Sequence, residues 1–224
     1  MKKKLLIFGT GDLAQLAAFY FSTEAVYEVI AFIVHQKYLT QPEFENKPVV
    51  AFEDIVTKYP PENYTLFIAI GYNSMNNIRK QIYNEVKQMG YTLASYISPQ
   101  CTYLSTFKPG DNCFIFEDNT IQPFVQIGNN VILWSGNHIG HHSKIEDHNF
   151  ITSHVVVSGH CVIKPNCFLG VNATIVNNIT IADNCVIGAG AVITANTETD
   201  SVYVPAKTVK LNKKSSEINF FKNN

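Results

Sequence analysis

The second half of the chain repeats its hydrophobic pattern every six residues. An aliphatic residue stands at each sixth position, without a break, at Ile115, Ile121, Ile127, Leu133, Ile139, Ile145, Ile151, Val157, Ile163, Leu169, Ile175, Ile181, Ile187 and Ile193. A period of six fits neither the 3.6-residue stripe of an amphipathic helix nor the alternation of a single strand. It is typical of a hexapeptide β-helix, in which short strands and turns stack coil upon coil.

Two further columns of the repeat agree with this interpretation. Four positions after the aliphatic residue, the chain often has a small or slim one, as at Val131, Ser143, Val155, Cys161, Cys167, Ala173, Cys185 and Ala191. Because strand side chains alternate, this column and the aliphatic column should share the inward face. Three positions after the aliphatic residue stand only Asp, Asn, Gly and His, apart from Phe124. These types tolerate a left-handed backbone, so the column predicts a corner in every hexad.

The same register sorts the histidines into two groups. His142, His148, His154 and His160 occupy the corner column. Their spacing could be taken for a metal-binding ladder, but Asn and Gly fill the same column elsewhere, so corner geometry explains them and no metal site is predicted. The corner column does not explain the other two histidines of the repeats, because His141 lies outside it and His138 should point outward from a strand.

The first hundred residues follow a different rule, in which strands and helices alternate. The pattern predicts strands over residues 4–8, 28–34, 49–50, 64–70 and 91–96, with helices over 12–21, 52–58 and 74–89. This alternation is typical of a parallel sheet covered by helices. The fold class is therefore an α/β Rossmann-like parallel sheet over residues 1–96, a parallel β-helix of hexapeptide repeats over 97–207, and a tail over 208–224.

The turn after the first strand fits the G-x-G-x-x-A form of a phosphate-binding fingerprint, with Gly9, Gly11 and Ala14 in the three places. Such a turn lets backbone amides approach a diphosphate at a helix N-terminus. The alternative is a glycine turn that only lets strand and helix pack closely. A dinucleotide site would also want an acid after the second strand. The chain has Val34 and His35 there, so a nucleotide-linked ligand is predicted rather than NAD.

A second loop should open at the same edge of the sheet. Gly71, Tyr72 and Asn73 follow the strand predicted over residues 64–70, and ligands bind beyond the carboxyl ends of parallel strands. Asn73 could alternatively cap the next helix.

Composition narrows the classes of partner and compartment. The chain has 17 basic and 18 acidic residues, and Arg79 is its single arginine, a poor footprint for nucleic acid. No apolar run is long enough to cross a bilayer. The five cysteines form no C-x-x-C pair and fall in the small inward column, as expected of core residues in a reducing compartment. We expect a cytoplasmic protein that binds neither nucleic acid nor membrane.

These features together resemble one branch of the left-handed β-helix acyltransferases, the sugar acyltransferases with a Rossmann-like N-terminal domain. The branch includes PglD-, PerB- and VioB-like N-acetyltransferases of nucleotide-linked amino sugars and NeuD-like sialic acid O-acetyltransferases. The motifs that carry the resemblance are the hexads, the Gly9-Thr10-Gly11 turn, the segment Ala69-Ile70-Gly71-Tyr72-Asn73 and the ending Val204-Pro205-Ala206-Lys207.

The resemblance implies an activity and an assembly. It implies a left-handed coil and a homotrimer with active sites between subunits. It also implies acetyl transfer from acetyl-CoA, without a metal, to a nucleotide-linked amino sugar of the 4-amino-4,6-dideoxyhexose type, for surface glycans such as lipopolysaccharide or capsule.

The resemblance also implies roles for particular residues. In the family's I-x-H-[DE] corner the histidine is the general base, which makes His141 the candidate here, although His142 stands in place of the acid. The family further implies the Gly159 N–H as the oxyanion donor, a CoA arm passing Gly159 and Ala189, and phosphate contact from Lys207. The expected substrate-binding residues are Gly9, Thr10, Gly11, His35, Gly71, Tyr72, Asn73, Trp134 and His138. Trp134 stands where the family often has Asn, and His138 is an equally good candidate for a plain surface residue.

Three alternatives stay open. Transfer to a hydroxyl, as in sialic acid O-acetylation, is the nearest. A γ-carbonic-anhydrase-like metal enzyme would place two zinc-binding histidines five residues apart, and no pair of histidines in this chain has that spacing. A non-catalytic scaffold would not need His141, the glycine turn and the Pro205-Ala206-Lys207 ending together.

Overall fold

A computed structural model describes residues 2–23 and 26–217. The N-terminal domain consists of β1 (Lys3–Phe8), α1 (Asp12–Thr23), β2 (Tyr27–Val34), β3 (Glu43–Phe44), β4 (Lys47–Ala51), α2 (Ile55–Lys58), β5 (Thr65–Ile68), α3 (Asn77–Gln88) and β6 (Thr92–Leu93), with 3₁₀ turns at Gln36–Tyr38 and Phe52–Asp54. The sheet order is β3-β4-β2-β1-β5-β6. All neighbours are parallel except the β3–β4 pair, so the predicted Rossmann-like sheet is confirmed, with an antiparallel edge strand that the pattern did not predict.

The strands of the C-terminal domain are only two residues long. They are β7 (Tyr96–Ile97), β8 (Thr102–Tyr103), β9 (Phe114–Ile115), β10 (Thr120–Ile121), β11 (Gln126–Ile127), β12 (Ile132–Leu133), β13 (His138–Ile139), β14 (Lys144–Ile145), β15 (Phe150–Ile151), β16 (Val156–Val157), β17 (Val162–Ile163), β18 (Phe168–Leu169), β19 (Thr174–Ile175), β20 (Thr180–Ile181), β21 (Val186–Ile187), β22 (Val192–Ile193) and β23 (Val202–Tyr203). The strand predicted over residues 91–96 is therefore wrong in part. It is two strands, β6 in the first sheet and β7 in the β-helix, because Tyr96 pairs with Phe114.

These strands form three parallel sheets, which are the faces of a left-handed β-helix. Face 1 holds β7, β9, β12, β15, β18, β21 and β23, face 2 holds β8, β10, β13, β16, β19 and β22, and face 3 holds β11, β14, β17 and β20. Along the stack, each residue pairs with the one 18 positions later, as Ile139 does with Val157. Three hexads therefore make one coil. We name the corners by the faces they join: the 1–2 corner, the 2–3 corner and the 3–1 corner.

The corner column has the predicted left-handed backbone. Every residue of this column from Asn112 to Gly190 has a positive φ, including Phe124 at +67°. The two inward columns are buried, and the four cysteines Cys113, Cys161, Cys167 and Cys185 are free thiols among them. The hexad pattern thus correctly predicted both the direction of the side chains and the places where the chain turns.

The N-terminal domain packs on the outward side of face 1. Phe114, Phe150 and Ile132 point away from the coil, yet they are buried because this domain covers them. Phe67 of β5 meets Phe114 edge to face, with ring centroids 5.1 Å apart. Such aromatic pairs add to the free energy gained by burial, so the two domains share one apolar core.

A second contact joins α3 to the 3–1 corner. Arg79, fully buried, donates hydrogen bonds to the backbone oxygens of Gly71, Asn130, His148 and Asn149 and to the side-chain oxygens of Asn76 and Asn130, at 2.9–3.3 Å. Burial lowers the pKa of Arg79 to about 9, which leaves the guanidinium charged at neutral pH.

The start of α3 differs from the prediction. A helix was expected from Ser74, but Ser74, Met75 and Asn76 all have positive φ and the helix begins at Asn77. Asn76, rather than Asn73, is the N-cap residue. Its side chain does not cap the helix, since it donates to the Cys167 oxygen of the β-helix and accepts from Arg79. Docking against the corner therefore determines where this helix starts.

Two further findings complete the fold. Within the described residues, no helix has the length and apolarity required to cross a membrane. Of the predicted tail, residues 208–214 carry no helix or strand and Ser215–Glu217 form a 3₁₀ turn, whereas residues 218–224 lie outside the described ranges.

Candidate active site

A cavity of about 360 Å³ opens at the carboxyl edge of the N-terminal sheet. It brings together three of the predicted substrate-binding residues, Gly9, Thr10 and His35. The remaining wall includes Tyr38 and Gln81. The cavity lies beside the N-terminus of α1, where backbone N–H groups favour an anion. The cavity therefore lies at the end of α1 to which an anion is attracted.

The two glycines of the turn have different reasons to be glycine. Gly9 has φ +122°, and a Cβ there would lie 2.9 Å from the Ala69 backbone oxygen, so the fold itself requires glycine. Gly11 has no atom within 4 Å of the position that a Cβ would take, so it faces open space. The packing alternative therefore accounts for Gly9 but leaves Gly11 unexplained.

An acidic side chain that the sequence analysis did not consider lies at this edge, in the 3₁₀ turn after β4. Glu53 accepts the backbone N–H of Gln36 at 2.9 Å and lies 3.3 Å from His35 Nδ1. Partial desolvation raises the pKa of Glu53, but hydrogen bonds from the backbone and from His35 outweigh it and lower the pKa overall. Glu53 stands two residues after β4, which pairs with β2. An acidic residue just beyond a short apolar strand was therefore the sequence signal that could have identified it.

A second cavity, of about 330 Å³, lies between the N-terminal domain and the 1–2 corner. Gly71, Tyr72, Asn73 and Trp134 line it together with residues of α1 and face 1. The Tyr72 ring packs against Phe150 at 4.9 Å. The Trp134 ring stacks on Phe116 at 4.7 Å. The predicted loop, the first turn of α1 and Trp134 thus meet at one cavity.

His141 lies at the 2–3 corner, two residues after the end of β13. Its imidazole is exposed, and its backbone N–H donates to Gln122 Oε1 at 2.9 Å. Gly159 lies one coil further on, directly against the ring. A Cβ on Gly159 would be 2.8 Å from His141 Cε1 and 2.9 Å from Nε2. The missing side chain at Gly159 makes the space that the imidazole occupies.

The expected oxyanion donor already has a partner. The Gly159 N–H donates to Asn177 Oδ1 at 2.9 Å, and Asn177 lies one coil beyond it at the same corner. An oxyanion at this N–H would therefore replace the Asn177 amide oxygen. No motif in the sequence pointed to Asn177.

Two corner histidines surround His141. Its Nδ1 lies 3.1 Å from His142 Nδ1, and its ring centroid lies 5.1 Å from that of His160. His142 lies between Phe124, at 4.6 Å, and His160, at 4.8 Å. His148 and His154 belong to the other two corners, because a step of six residues moves the chain by one corner. Burial lowers the pKa of His148 to about 4, so that ring is neutral at pH 7.

The remaining predicted residues lie apart from one another. His138 is half-buried in β13 and points outward from face 2, between Thr120 and Val156 of the adjacent coils. Ala189 is exposed at the 1–2 corner, and Lys207 is exposed beyond β23. Gly159 and Ala189 therefore occupy different corners of one chain.

A single chain does not join the two parts of the predicted site. The first cavity is lined by residues of the N-terminal domain alone, and the second lies where that domain packs on face 1 near the 1–2 corner. His141 lies at the 2–3 corner, which is the corner opposite face 1 in a three-sided prism.

The sequence matches two protein-family models, and its structure is similar to several solved structures. Residues 4–86 match the PglD N-terminal domain, and residues 125–159 and 160–195 match the bacterial transferase hexapeptide (six repeats). No curated protein matches the sequence.

Three solved structures share the fold. The acetyltransferase domain of PglB from Neisseria gonorrhoeae FA1090, in complex with acetyl coenzyme A, is 21% identical with a TM-score of 0.79, covering 93% of this chain and all of that one. PerB from Caulobacter crescentus, in complex with CoA and GDP-perosamine, is 20% identical with a TM-score of 0.76, covering 90% and 94%. WeeI from Acinetobacter baumannii AYE is 17% identical with a TM-score of 0.77, covering 90% and 96%.

At these identities the structures establish the fold, and the two family matches identify its parts. With a PglD N-terminal domain over residues 4–86 and bacterial transferase hexapeptide repeats over residues 125–195, the chain belongs to the bacterial hexapeptide-repeat transferases that carry a PglD-type N-terminal domain.

Proposed function

We propose that this protein is an acetyl-CoA-dependent N-acetyltransferase of a nucleotide-linked amino sugar, of the 4-amino-4,6-dideoxyhexose type, acting in the cytoplasm in surface-glycan synthesis. The observation that carries the proposal is that the chain has both a cavity at the sheet edge beside Gly9 and Thr10 and an exposed imidazole seated on Gly159. The complexes of PglB with acetyl coenzyme A and of PerB with CoA and GDP-perosamine, which share this fold, support the substrate class.

The proposed reaction is direct transfer. The sugar amine attacks the thioester carbonyl, and the new C–N bond forms as the amine loses a proton to His141. The tetrahedral intermediate then collapses, the C–S bond breaks, and the proton passes to the departing CoA thiolate. A positioned base of this kind contributes about 10²–10⁴ in rate. The Gly159 N–H would stabilise the oxyanion by exchanging Asn177 for the substrate oxygen.

The site would be completed by a second copy of the chain. Trp134 and His141 follow consecutive strands of the same coil, β12 and β13. In a parallel trimer with its axis along the stack, equal coils lie at equal height. The 2–3 corner of one copy would then come level with the cavity at the 1–2 corner of the next. The same arrangement would let a CoA arm pass Gly159 of one copy and Ala189 of its neighbour, with Lys207 near its phosphates.

The proposal is tested with a panel of acceptors. dTDP-, UDP- and GDP-linked amino sugars and sialic acid are each incubated with acetyl-CoA, and the released thiol is measured. Turnover with a nucleotide amino sugar supports the proposal. Turnover with sialic acid alone would favour O-acetylation, and thiol release with none of these acceptors would contradict the proposed substrate class.

The base is tested with His141→Ala. We expect kcat to fall by about 10²–10⁴, with unchanged thermal unfolding because the ring is exposed. Retention of kcat within about tenfold of the wild type would contradict the role.

A further inference from the structure

Three imidazoles meet at the 2–3 corner, and the proposed reaction uses only one of them. A nitrogen of His141, one of His142 and one of His160 all lie within 4.8 Å of one another, and all three side chains are exposed. The corner column accounts for a left-handed residue at 142 and 160, yet Asn would serve equally well there. Corner geometry does not account for His141, which stands outside the column.

The separations suit a transition-metal ion. Tetrahedral zinc with Zn–N bonds of about 2.0–2.1 Å holds its ligand nitrogens about 3.3 Å apart. His141 Nδ1 and His142 Nδ1 are 3.1 Å apart, and the His160 ring stands 5.1 Å and 4.8 Å from the other two ring centroids. The exposed rings can turn about χ2 to direct their lone pairs at one point. Three imidazoles suit Zn²⁺, Cu²⁺ or Ni²⁺ and leave an open position towards solvent.

We propose that His141, His142 and His160 form a binding site for a divalent transition-metal ion such as Zn²⁺, and that the bound ion inhibits the transferase. The inhibition rests on the proposed function, because an ion coordinated by His141 takes the lone pair that would accept the proton. The ion is an inhibitor in this proposal, and no step of acetyl transfer passes through it.

Binding is measured first, without reference to activity. Metal-free protein carrying no polyhistidine tag is titrated with Zn²⁺ by calorimetry and with Co²⁺ by visible absorbance. His142→Asn and His160→Asn each remove one ligand, and Asn suits the backbone because Asn166 and Asn172 hold the same column at positive φ. His154→Asn is the matched control, since it changes the same column at the 1–2 corner.

We expect one Zn²⁺ per chain in the wild type and in His154→Asn, with affinity lowered by more than about tenfold in His142→Asn and His160→Asn. Loss of a residue that merely supports a ligand commonly costs about 10–100-fold. Equal affinity in all four proteins, or no stoichiometric binding in the wild type, would overturn the site.

Activity separates the two parts of the proposal. We expect Zn²⁺ to inhibit the wild-type enzyme at the concentrations at which it binds, and a chelator to restore turnover. Binding without inhibition would overturn the inhibitory role alone. If His141→Ala lost the metal but kept its activity, the metal site would stand and the general-base role would fall.

Discussion

At the scale of the residue, the position of the candidate base depends on the absence of a side chain at Gly159. Gly159 leaves room for the His141 imidazole, because a Cβ at residue 159 would lie 2.8 Å from its Cε1 and 2.9 Å from its Nε2, closer than van der Waals contact. The three nearest atoms to that Cβ position all belong to His141, and they are the far end of an exposed ring. A methyl group there would displace the imidazole and leave the coil intact.

Gly159→Ala therefore separates position from stability. We expect kcat to fall by up to about 10²-fold, since displacement by about 1 Å has an effect of that order. We expect little change in the melting temperature, because the displaced ring can move into solvent. Both are measured on the purified variant. An unchanged kcat would show that the position of the His141 ring does not limit the reaction.

The sequence predicted residue-scale geometry where that geometry is local. Asn, Gly and His in the corner column indicated positive φ, and even Phe124 adopts it, at +67°. The column analysis set His141 apart from the corner histidines, whereas the structure joins it to His142 and His160. That contact depends on the rotamers of the three side chains, which the hexad pattern does not determine.

At the scale of the element, the start of α3 is decided by the domain on which it packs. The pattern predicted a helix from Ser74, as local propensity favours. Asn76 and Arg79 instead bond to the 3–1 corner, and three successive residues take positive φ to bring them there. The glycine-poor sequence Ser74-Met75-Asn76 carried no signal for this turn, because its reason lies in the second domain.

Arg79→Met tests this docking element. The substitution leaves the buried backbone oxygens of Asn130 and His148 and the part-buried oxygen of Gly71 without the Arg79 donor, and each buried loss costs about 1–3 kcal/mol. We expect the free energy of unfolding in urea to fall by about 3 kcal/mol or more.

Lys87→Met is the control for that measurement. Lys87 also contacts the β-helix from α3, through Asp111 at 2.6 Å, but its side chain is 44% exposed. An exposed ion pair contributes no more than about 1 kcal/mol. If the free energy of unfolding fell by the same small amount in both variants, Arg79 would not be the residue that holds α3 against the 3–1 corner.

At the scale of the whole molecule, the hexad period predicted the β-helix, its inward columns and its corners, because the repeat is encoded at every coil. The strand–helix alternation predicted the first domain. How the two domains face each other was not predictable, since the outward aromatic residues of face 1 look like surface positions until Phe67 and its neighbours cover them. That packing places the cavities and His141 on opposite sides of one chain.

The central claim is that one copy supplies His141 and another supplies the nucleotide cavity, and mixed assemblies test it most directly. His141→Ala removes the base. Gly11→Glu places a carboxylate at the N-terminus of α1, where there is room for the side chain and where its charge would repel a diphosphate. Each variant alone should be inactive with the best acceptor of the panel.

The two variants are co-expressed with different tags and purified as mixed assemblies, and thiol release is compared with the wild type. If neighbouring copies of a trimer share each site, every mixed trimer keeps one intact site of its three, so about a third of the activity returns. Mixed assemblies as inactive as either variant alone would contradict a site built between copies.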